Sequence, residues 1–163
     1  SAGDLSVAEN LALKCAGRFT RWGLLDRRAM RAHAEDLIAR YDIRCPGPDA
    51  RAAGLSGGNL QKLILARELS EAPPLVVAAY PCRGLDVGAA EAVRGALLAA
   101  RERGAAVALI SEDLDELLRL SDRIGVLFRG GLAGPLPAAG LDRERLGLMM
   151  GGAAQPEPTG GAA

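Results

Sequence analysis

Two short apolar runs separated by a long helical stretch constrain this chain more than anything else in it. Leu75-Val76-Val77-Ala78-Ala79 and Ala105 to Ile110 are continuously apolar. Each has the length of a strand, and an unbroken apolar run reads as a strand buried on both faces of a parallel sheet. Between them Gly88 to Arg103 reads as a helix that stops at Gly104. Beyond the second run, Asp113 to Leu120 reads as helix and Ile124 to Phe128 as a third strand. Strand–helix–strand–helix–strand implies right-handed parallel crossovers, so the fold class expected is α/β. Gly130-Gly131 then marks a tight turn into Leu132 and Ala133, a hairpin, and Asp142 to Met150 reads as a last helix.

The chain before the first strand is helical in character. Asp4 to Lys14 carries Ser6 as a cap, Glu9 at the capping-box position, and apolar Leu5, Leu11 and Leu13. Gly17 to Gly23 reads as a loop holding Phe19 and Trp22. Asp26 to Tyr41 reads as an amphipathic helix, with Ala29, Ala32, Leu37, Ile38 and Tyr41 near helical spacing. Cys45 to Asp49 contains Pro46, Gly47 and Pro48 and reads as a linker, and Pro73-Pro74 ends the helix that follows it. Residues 1–72 are expected to form a helical subdomain, 73–150 a sheet-bearing core, and 151–163, rich in Gly, Ala and Pro, a disordered tail.

Charge and cysteine content exclude several function classes. The 20 basic and 20 acidic residues balance, so no basic field attracts nucleic acid. The arginines Arg18, Arg21, Arg27, Arg28 and Arg31 stand among acids with few aromatics, which argues against an RNA surface. Cys15, Cys45 and Cys82 form no CxxC pair; neither zinc nor a disulfide framework is indicated, and a reducing cytosol fits. No apolar run approaches the roughly 20 residues of a membrane span, and the chain opens on no charged-apolar-small signal. Membrane association would then come through a protein partner.

The most informative chemical motif is Leu55-Ser56-Gly57-Gly58-Asn59-Leu60-Gln61-Lys62, which opens a helical run from Leu60 to Leu69. Ser56 can cap that helix, and the two glycines leave backbone N–H groups uncovered. Free amides and the positive end of the dipole make an anion site, most naturally for phosphate. An ordinary Ser/Gly helix cap is the alternative. Lys62 on the same helix is either a phosphate contact or a surface charge. Glu112, Asp113, Asp115 and Glu116 are expected to cap a helix start from a solvated surface rather than hold a metal. His33 is read as a surface or packing residue with no catalytic role.

In the context of the whole chain the octet resembles the signature motif of ATP-binding-cassette (ABC) ATPases. The other segments follow in that family's order. Pro74 to Tyr80 resembles the Walker B strand, and Pro81-Cys82-Arg83-Gly84-Leu85-Asp86 the Pro-Thr-Arg-Gly-Leu-Asp run ending in the D-loop, with Cys82 for the usual threonine. Ile110-Ser111-Glu112-Asp113-Leu114-Asp115-Glu116 stands where the family's switch stands, and Ser121-Asp122-Arg123-Ile124 opens the next strand. The resemblance spans about Leu5 to Gly134 and is nearest to the second cassette of nucleoside- and simple-sugar-type importers.

The resemblance implies a partial P-loop-type core with parallel strands plus most of the helical subdomain. It also shows what is absent. The chain contains no G-x-x-x-x-G-K-[ST] loop, and it is expected to begin just past that loop as the C-terminal part of a cassette. The Walker B acids stand as Ala79 and Tyr80, and the switch histidine as Glu112. Alanine holds no Mg²⁺, and tyrosine near its normal pKa is no base at neutral pH.

Features used in cis are therefore lost, while Ser56, Gly57, Gly58 and Asn59, used in trans, are whole. Arg83, Gly84, Leu85 and Asp86 are expected at the interface between cassettes, with a local turn salt bridge as the alternative for Arg83 and Asp86. The implied function is ATP-driven import of nucleosides or simple sugars. In it, ATP, and Mg²⁺ with it, would be held by a partner cassette fused upstream, and membrane permease subunits would be the other partners. The implied location is the cytoplasmic face of the plasma membrane. The chain is not expected to hydrolyse ATP alone. The second reading is a non-hydrolysing interaction module or truncated relic of such an ATPase.

Overall fold

A computed structural model describes residues 3–153. The expected tail falls mostly on residues 154–163, outside the described residues; 151–153 turn out of the last helix. Contacts divide the chain into two compact units, with the boundary between Ala108 and Leu109.

The first unit opens with α1, Val7–Ala12. Its start is the capping box read from the sequence. Ser6 Oγ accepts from Glu9 N at 3.1 Å, and Glu9 Oε2 accepts from Ser6 N at 2.8 Å. Two orphan donors of the first turn are satisfied by this exchange. The segment expected as a loop is ordered differently. A 3₁₀ turn at Ala16–Phe19 leads into two-residue strands β1, Thr20–Arg21, and β2, Leu24–Leu25, paired antiparallel. Trp22 and Gly23 both have positive φ, 53° and 78°. That is the signature of a primed hairpin turn, whose twist suits the flanking strands. Trp22 is not one of the residues that usually announce such a turn, so the sequence pattern missed it.

Helix α2, Arg27–Arg40, starts at the cap Asp26, whose Oδ1 accepts from Ala29 N at 2.9 Å. Its inner face is Met30, Ala34 and Leu37; Ala29 and Ala32 are exposed, contrary to the spacing first read. Alanine has too little apolar area to set a helix's orientation against methionine and leucine one step away. Helix α3, Gly57–Leu69, buries Leu63, Leu65, Ala66 and Leu69. Val7, Leu11, Phe19, Met30, Leu37, Ile43 and Leu63 meet in one apolar core among α1, α2 and α3.

Strand β3, Leu75–Ala79, follows, then α4, Val87–Glu102, and β4, Ala106–Ile110. β3 pairs with β4 in a parallel arrangement, and Ala106 N donates to Pro74 O at 2.9 Å. The βαβ order thus holds. The expectation of burial on both faces does not. Alternate residues along both strands are open, with Leu75 58% and Val77 65% exposed. Among the described residues nothing covers that face. α4 buries Ala89, Ala90, Val93, Leu97 and Ala100.

In the second unit, α5, Leu114–Leu120, precedes β5, Arg123–Phe128, and β6, Gly131–Pro137. β5 was expected to extend the parallel sheet; its observed pairing is antiparallel with β6, in the hairpin that Gly130-Gly131 announced. The short turn leaves the second strand beside the first. Helix α6, Arg143–Met150, capped by Asp142, packs Leu146 and Met149 against Ile124 and Val126. The Arg143 guanidinium pairs with the Asp115 carboxylate of α5.

Candidate functional site

The centre of interest is the start of α3. Ser56 is its N-cap, in extended backbone at φ −62°, ψ 157°. The hydroxyl oxygen accepts from Asn59 N at 3.5 Å and, more closely, from Asn59 Nδ2 at 2.9 Å. Asn59 Oδ1 in turn accepts from Arg44 N at 2.8 Å. Asn59 is therefore a bridge: its amide holds the serine hydroxyl on one side and the chain after α2 on the other. With its acceptor side occupied by donors, the Ser56 hydroxyl keeps its own proton for an incoming acceptor. Ser56 and Gly57 are exposed.

The two glycines are not equivalent. A Cβ on Gly57 would meet nothing within 4 Å. A Cβ on Gly58 would lie 2.9 Å from Ala89 Cβ and 3.9 Å from Asp86 Oδ2. The absence of a side chain at Gly58 thus lets α3 rest directly on the first turn of α4. This role was not read from the sequence; the small pair Ala89-Ala90 beside a motif glycine is its only trace there.

Asp86, at the end of the Pro81–Asp86 run, is the N-cap of α4, and its Oδ1 accepts from Ala89 N at 2.8 Å. The run reaches it through turns, with Arg83 N donating to Tyr80 O at 3.2 Å, Leu85 N donating to Cys82 O at 3.3 Å, and Gly84 at φ 72°. The Cys82 thiol donates to Ala90 O at 3.7 Å, a bond a threonine hydroxyl could also make. Arg83 lies over the Tyr80 ring, 6.0 Å from its centroid. The structure therefore brings the Ser56–Asn59 and Arg83–Asp86 segments together, with Gly58, Asp86 and Ala89 as the point of contact.

The chain has clear relatives. No family model matches the chain. A glucose import ATP-binding protein of Haloferax volcanii is 50% identical over 166 residues, 99% of this chain. A guanosine import ATP-binding protein of Bacillus subtilis is 40% identical over 94% of this chain, and a ribose import ATP-binding protein of Escherichia coli O157:H7 34% over 91%. The chain spans only 30%, 31% and 29% of their respective lengths. Among solved structures, a dimeric ATP-binding cassette in a post-hydrolysis state with ADP and phosphate superposes with a TM-score of 0.66 at 24% identity, over 82% of this chain and 57% of that one. An ABC transporter cassette in its ADP conformation gives a TM-score of 0.64 at 20% identity, over 91% of this chain and 60% of that one.

The chain is a part of an ABC cassette.

Within this partial cassette, the positions expected from the sequence to match the Walker B acids close β3. Ala79 is its last residue, and Tyr80 follows in the left-handed region at φ 50°. A tyrosine held there is strained by a cost of roughly 1–3 kcal/mol. No group of three or more His, Cys, Asp and Glu side chains that could hold a metal exists among the described residues.

Glu112, expected from the sequence at the switch position, lies in the second unit and is exposed. Next to it, Asp113 caps α5, its Oδ1 accepting from Asp115 N at 3.0 Å and Glu116 N at 3.3 Å. Capping was the expected role for these acids, but Glu116 is not a solvated one. It is 3% exposed, and Glu116 Oε2 accepts from the Ser111 hydroxyl at 2.6 Å. The hydrogen bond ties the turn between β4 and α5.

Lys62 faces away from the cap of its own helix. Its Nζ donates to Asp42 O at 2.8 Å and pairs with Asp42 Oδ2 at 2.7 Å. That hydrogen bond and charge hold the Asp42 carboxyl below its usual range. Asp42 stands at φ 49°, just after α2, so Lys62 fastens a left-handed helix end. His33 stacks with Phe19 at 5.2 Å, and its Nε2 lies 3.9 Å from Cys15 Sγ. Burial lowers the imidazole pKa and raises that of the thiol, so both stay neutral at pH 7, as core packing requires.

Proposed function

We propose that this chain is the C-terminal portion of the second cassette of an ABC importer's ATP-binding subunit, and that it offers Ser56, Gly57, Gly58 and Asn59 to ATP held by a partner cassette. One observation carries the reading: Ser56 stands exposed at the positive end of α3 with its hydroxyl oxygen braced by Asn59 and its proton free. A γ-phosphate approaching there meets a hydroxyl donor, uncovered amides and the helix dipole at once. The names of the relatives support import of a sugar or nucleoside, and support ATP as the nucleotide.

On this reading residues 1–72 belong to the helical subdomain and 73–150 to the C-terminal half of the core. Arg83, Gly84, Leu85 and Asp86 line the interface with the partner cassette. The partner, fused upstream, supplies the P-loop, the Walker B acids and Mg²⁺. On this reading this cassette's own half-site is inert: alanine at 79 holds no Mg²⁺, tyrosine at 80 is no base at neutral pH, and a glutamate at 112 would repel a γ-phosphate. Permease subunits then hold the assembly at the cytoplasmic face of the membrane, meeting this chain near the exposed Asp4, ahead of the largely buried α1, and at the hairpin that carries Trp22.

The test is calorimetry with ATP and Mg²⁺ on the chain alone, on an intact partner cassette, and on their mixture. ATP affinity should rise on mixing, and Ser56→Arg should abolish the rise. An undiminished rise with Ser56→Arg would refute presentation in trans and leave the second reading, a non-hydrolysing interaction module.

A further inference from the structure

A second feature of the first unit lies away from the start of α3. Where the C-terminal end of α2 meets α3 and α4, a cavity of about 360 Å³ is lined by Arg40, Tyr41, Lys62, Ala96, Ala99 and Arg103, among others. Ala92, Ala96 and Ala99 form one stripe of α4 along its floor, beside the buried stripe of Val93, Leu97 and Ala100. Leucines at those positions would fill the space; the alanines leave it open.

The walls are cationic in a chain whose net charge is zero. Arg40 is paired with Asp36 at 2.6 Å, and Lys62 with Asp42, the one acid in the lining. Arg103 has no such partner among the described residues. It sits at the C-cap of α4, where its charge complements the dipole, yet its guanidinium keeps all its donors. The Tyr41 hydroxyl likewise bonds to no protein group among the described residues. Burial raises its pKa above the ordinary value, against the opposing charges of Arg103 and Arg40, so it remains a hydrogen-bond donor at neutral pH. Donors facing an open space with a small apolar floor describe a receptor for an anion with an organic body.

We propose that this groove binds a phosphate monoester on a compact body, of the size of a sugar phosphate or nucleoside monophosphate. Arg103 and Tyr41 take the phosphate, and the body lies on Ala92, Ala96 and Ala99. Three phosphate oxygens use more donors than a carboxylate would, and a guanidinium fork matches them. The volume is near the lower end of the range of about 300–1,000 Å³ typical of small-molecule sites, which excludes a dinucleotide. The site is separate from the Ser56–Asn59 segment, and its occupancy does not depend on the proposal made for that segment.

The experiment is a titration of the ¹⁵N-labelled chain with ribose 5-phosphate, ribose and inorganic phosphate. Ribose 5-phosphate should move the amide resonances of Tyr41, Ala96, Ala99 and Arg103; ribose should move none, and inorganic phosphate should bind more weakly than the ester. Arg103→Ala should weaken the ester roughly ten-fold, as expected for loss of a charged hydrogen bond. Tyr41→Phe, which keeps the ring packing, should weaken it by a smaller factor, and Ala96→Leu should abolish binding while other resonances stay in place. Equal responses to ribose and its phosphate, shifts confined to Ser56–Asn59, no shifts at all, or full binding by a folded Ala96→Leu protein would each overturn the proposal.

Discussion

Replacing each motif glycine by alanine separates packing from phosphate recognition. In a helix the change from glycine to alanine is normally favourable by about 0.8–1.0 kcal/mol. At Gly57 the new methyl meets open space, so most of that gain should appear, reduced because the residue lies in the first turn. At Gly58 the methyl must fit 2.9 Å from Ala89 Cβ. Carbon atoms prefer a separation of about 3.5–4.0 Å, so α3 and α4 must part by several tenths of an ångström.

Such overpacking costs typically about 1–3 kcal/mol. Against the propensity gain, Gly58→Ala should come out destabilised by up to about 2 kcal/mol, and less stable than Gly57→Ala by about 1–3 kcal/mol. For a chain of this size the second difference corresponds to a gap of roughly 2–12 °C in Tm. Urea or thermal unfolding followed by far-UV circular dichroism measures it. A Gly58→Ala protein as stable as Gly57→Ala would refute the reasoning, since it would mean that α3 does not rest on α4 at this point.

The remaining expectations are smaller in scope. Ser6→Ala should cost about 1 kcal/mol through the lost cap, read from the same unfolding curves. The Glu9 carboxyl is held below its ordinary value of 4.5, first by the Ser6 backbone N–H and then by the Ser6 hydroxyl. A depressed folded pKa gives stability that is fully present above the unfolded value and lost as pH falls through the folded one. Acid should therefore weaken the start of α1 below about pH 4.5, and Glu9→Gln should remove that part of the acid sensitivity. The chain alone should release no phosphate from MgATP, given Ala79, Tyr80 and Glu112; release that survives purification and disappears on mutating this chain would contradict it. In a complete transporter Asn59→Ala, which frees Ser56 and Arg44, should reduce ATPase activity, whereas Glu112→Ala should leave it near normal.

The sequence was legible wherever a local rule had one outcome. Ser6 with Glu9 and Ser56 before a helical run are caps whose geometry is settled within four residues, and both formed as read. The βαβ order followed from run lengths and punctuation. Features that depend on what lies opposite were not legible. Gly58 became a packing position only because Ala89, 31 residues later, arrives beside it. Glu116 is buried because Ser111 turns toward it across the β4–α5 corner, which its acidic surroundings concealed. Met30 and Leu37 set the inner face of α2, and Ala34, which shares their face, is buried with them while Ala29 and Ala32 are left exposed. The openness of β3 and β4 is not readable at all from an apolar run, which has the same composition whether or not another layer covers it.

The Trp22–Gly23 turn has a practical consequence. Trp22 is the chain's sole tryptophan, and it stands 92% exposed at the tip of the β1–β2 hairpin. Its indole already experiences water in the native state. Intrinsic fluorescence should therefore emit at a solvent-like wavelength, respond freely to iodide, and change little when the apolar core melts. Denaturation followed by that signal would look deceptively featureless. The same circumstance makes the indole a built-in, label-free reporter of one place: a blue shift or a loss of iodide quenching would announce that something has covered the hairpin tip, with no contribution from the rest of the protein to subtract.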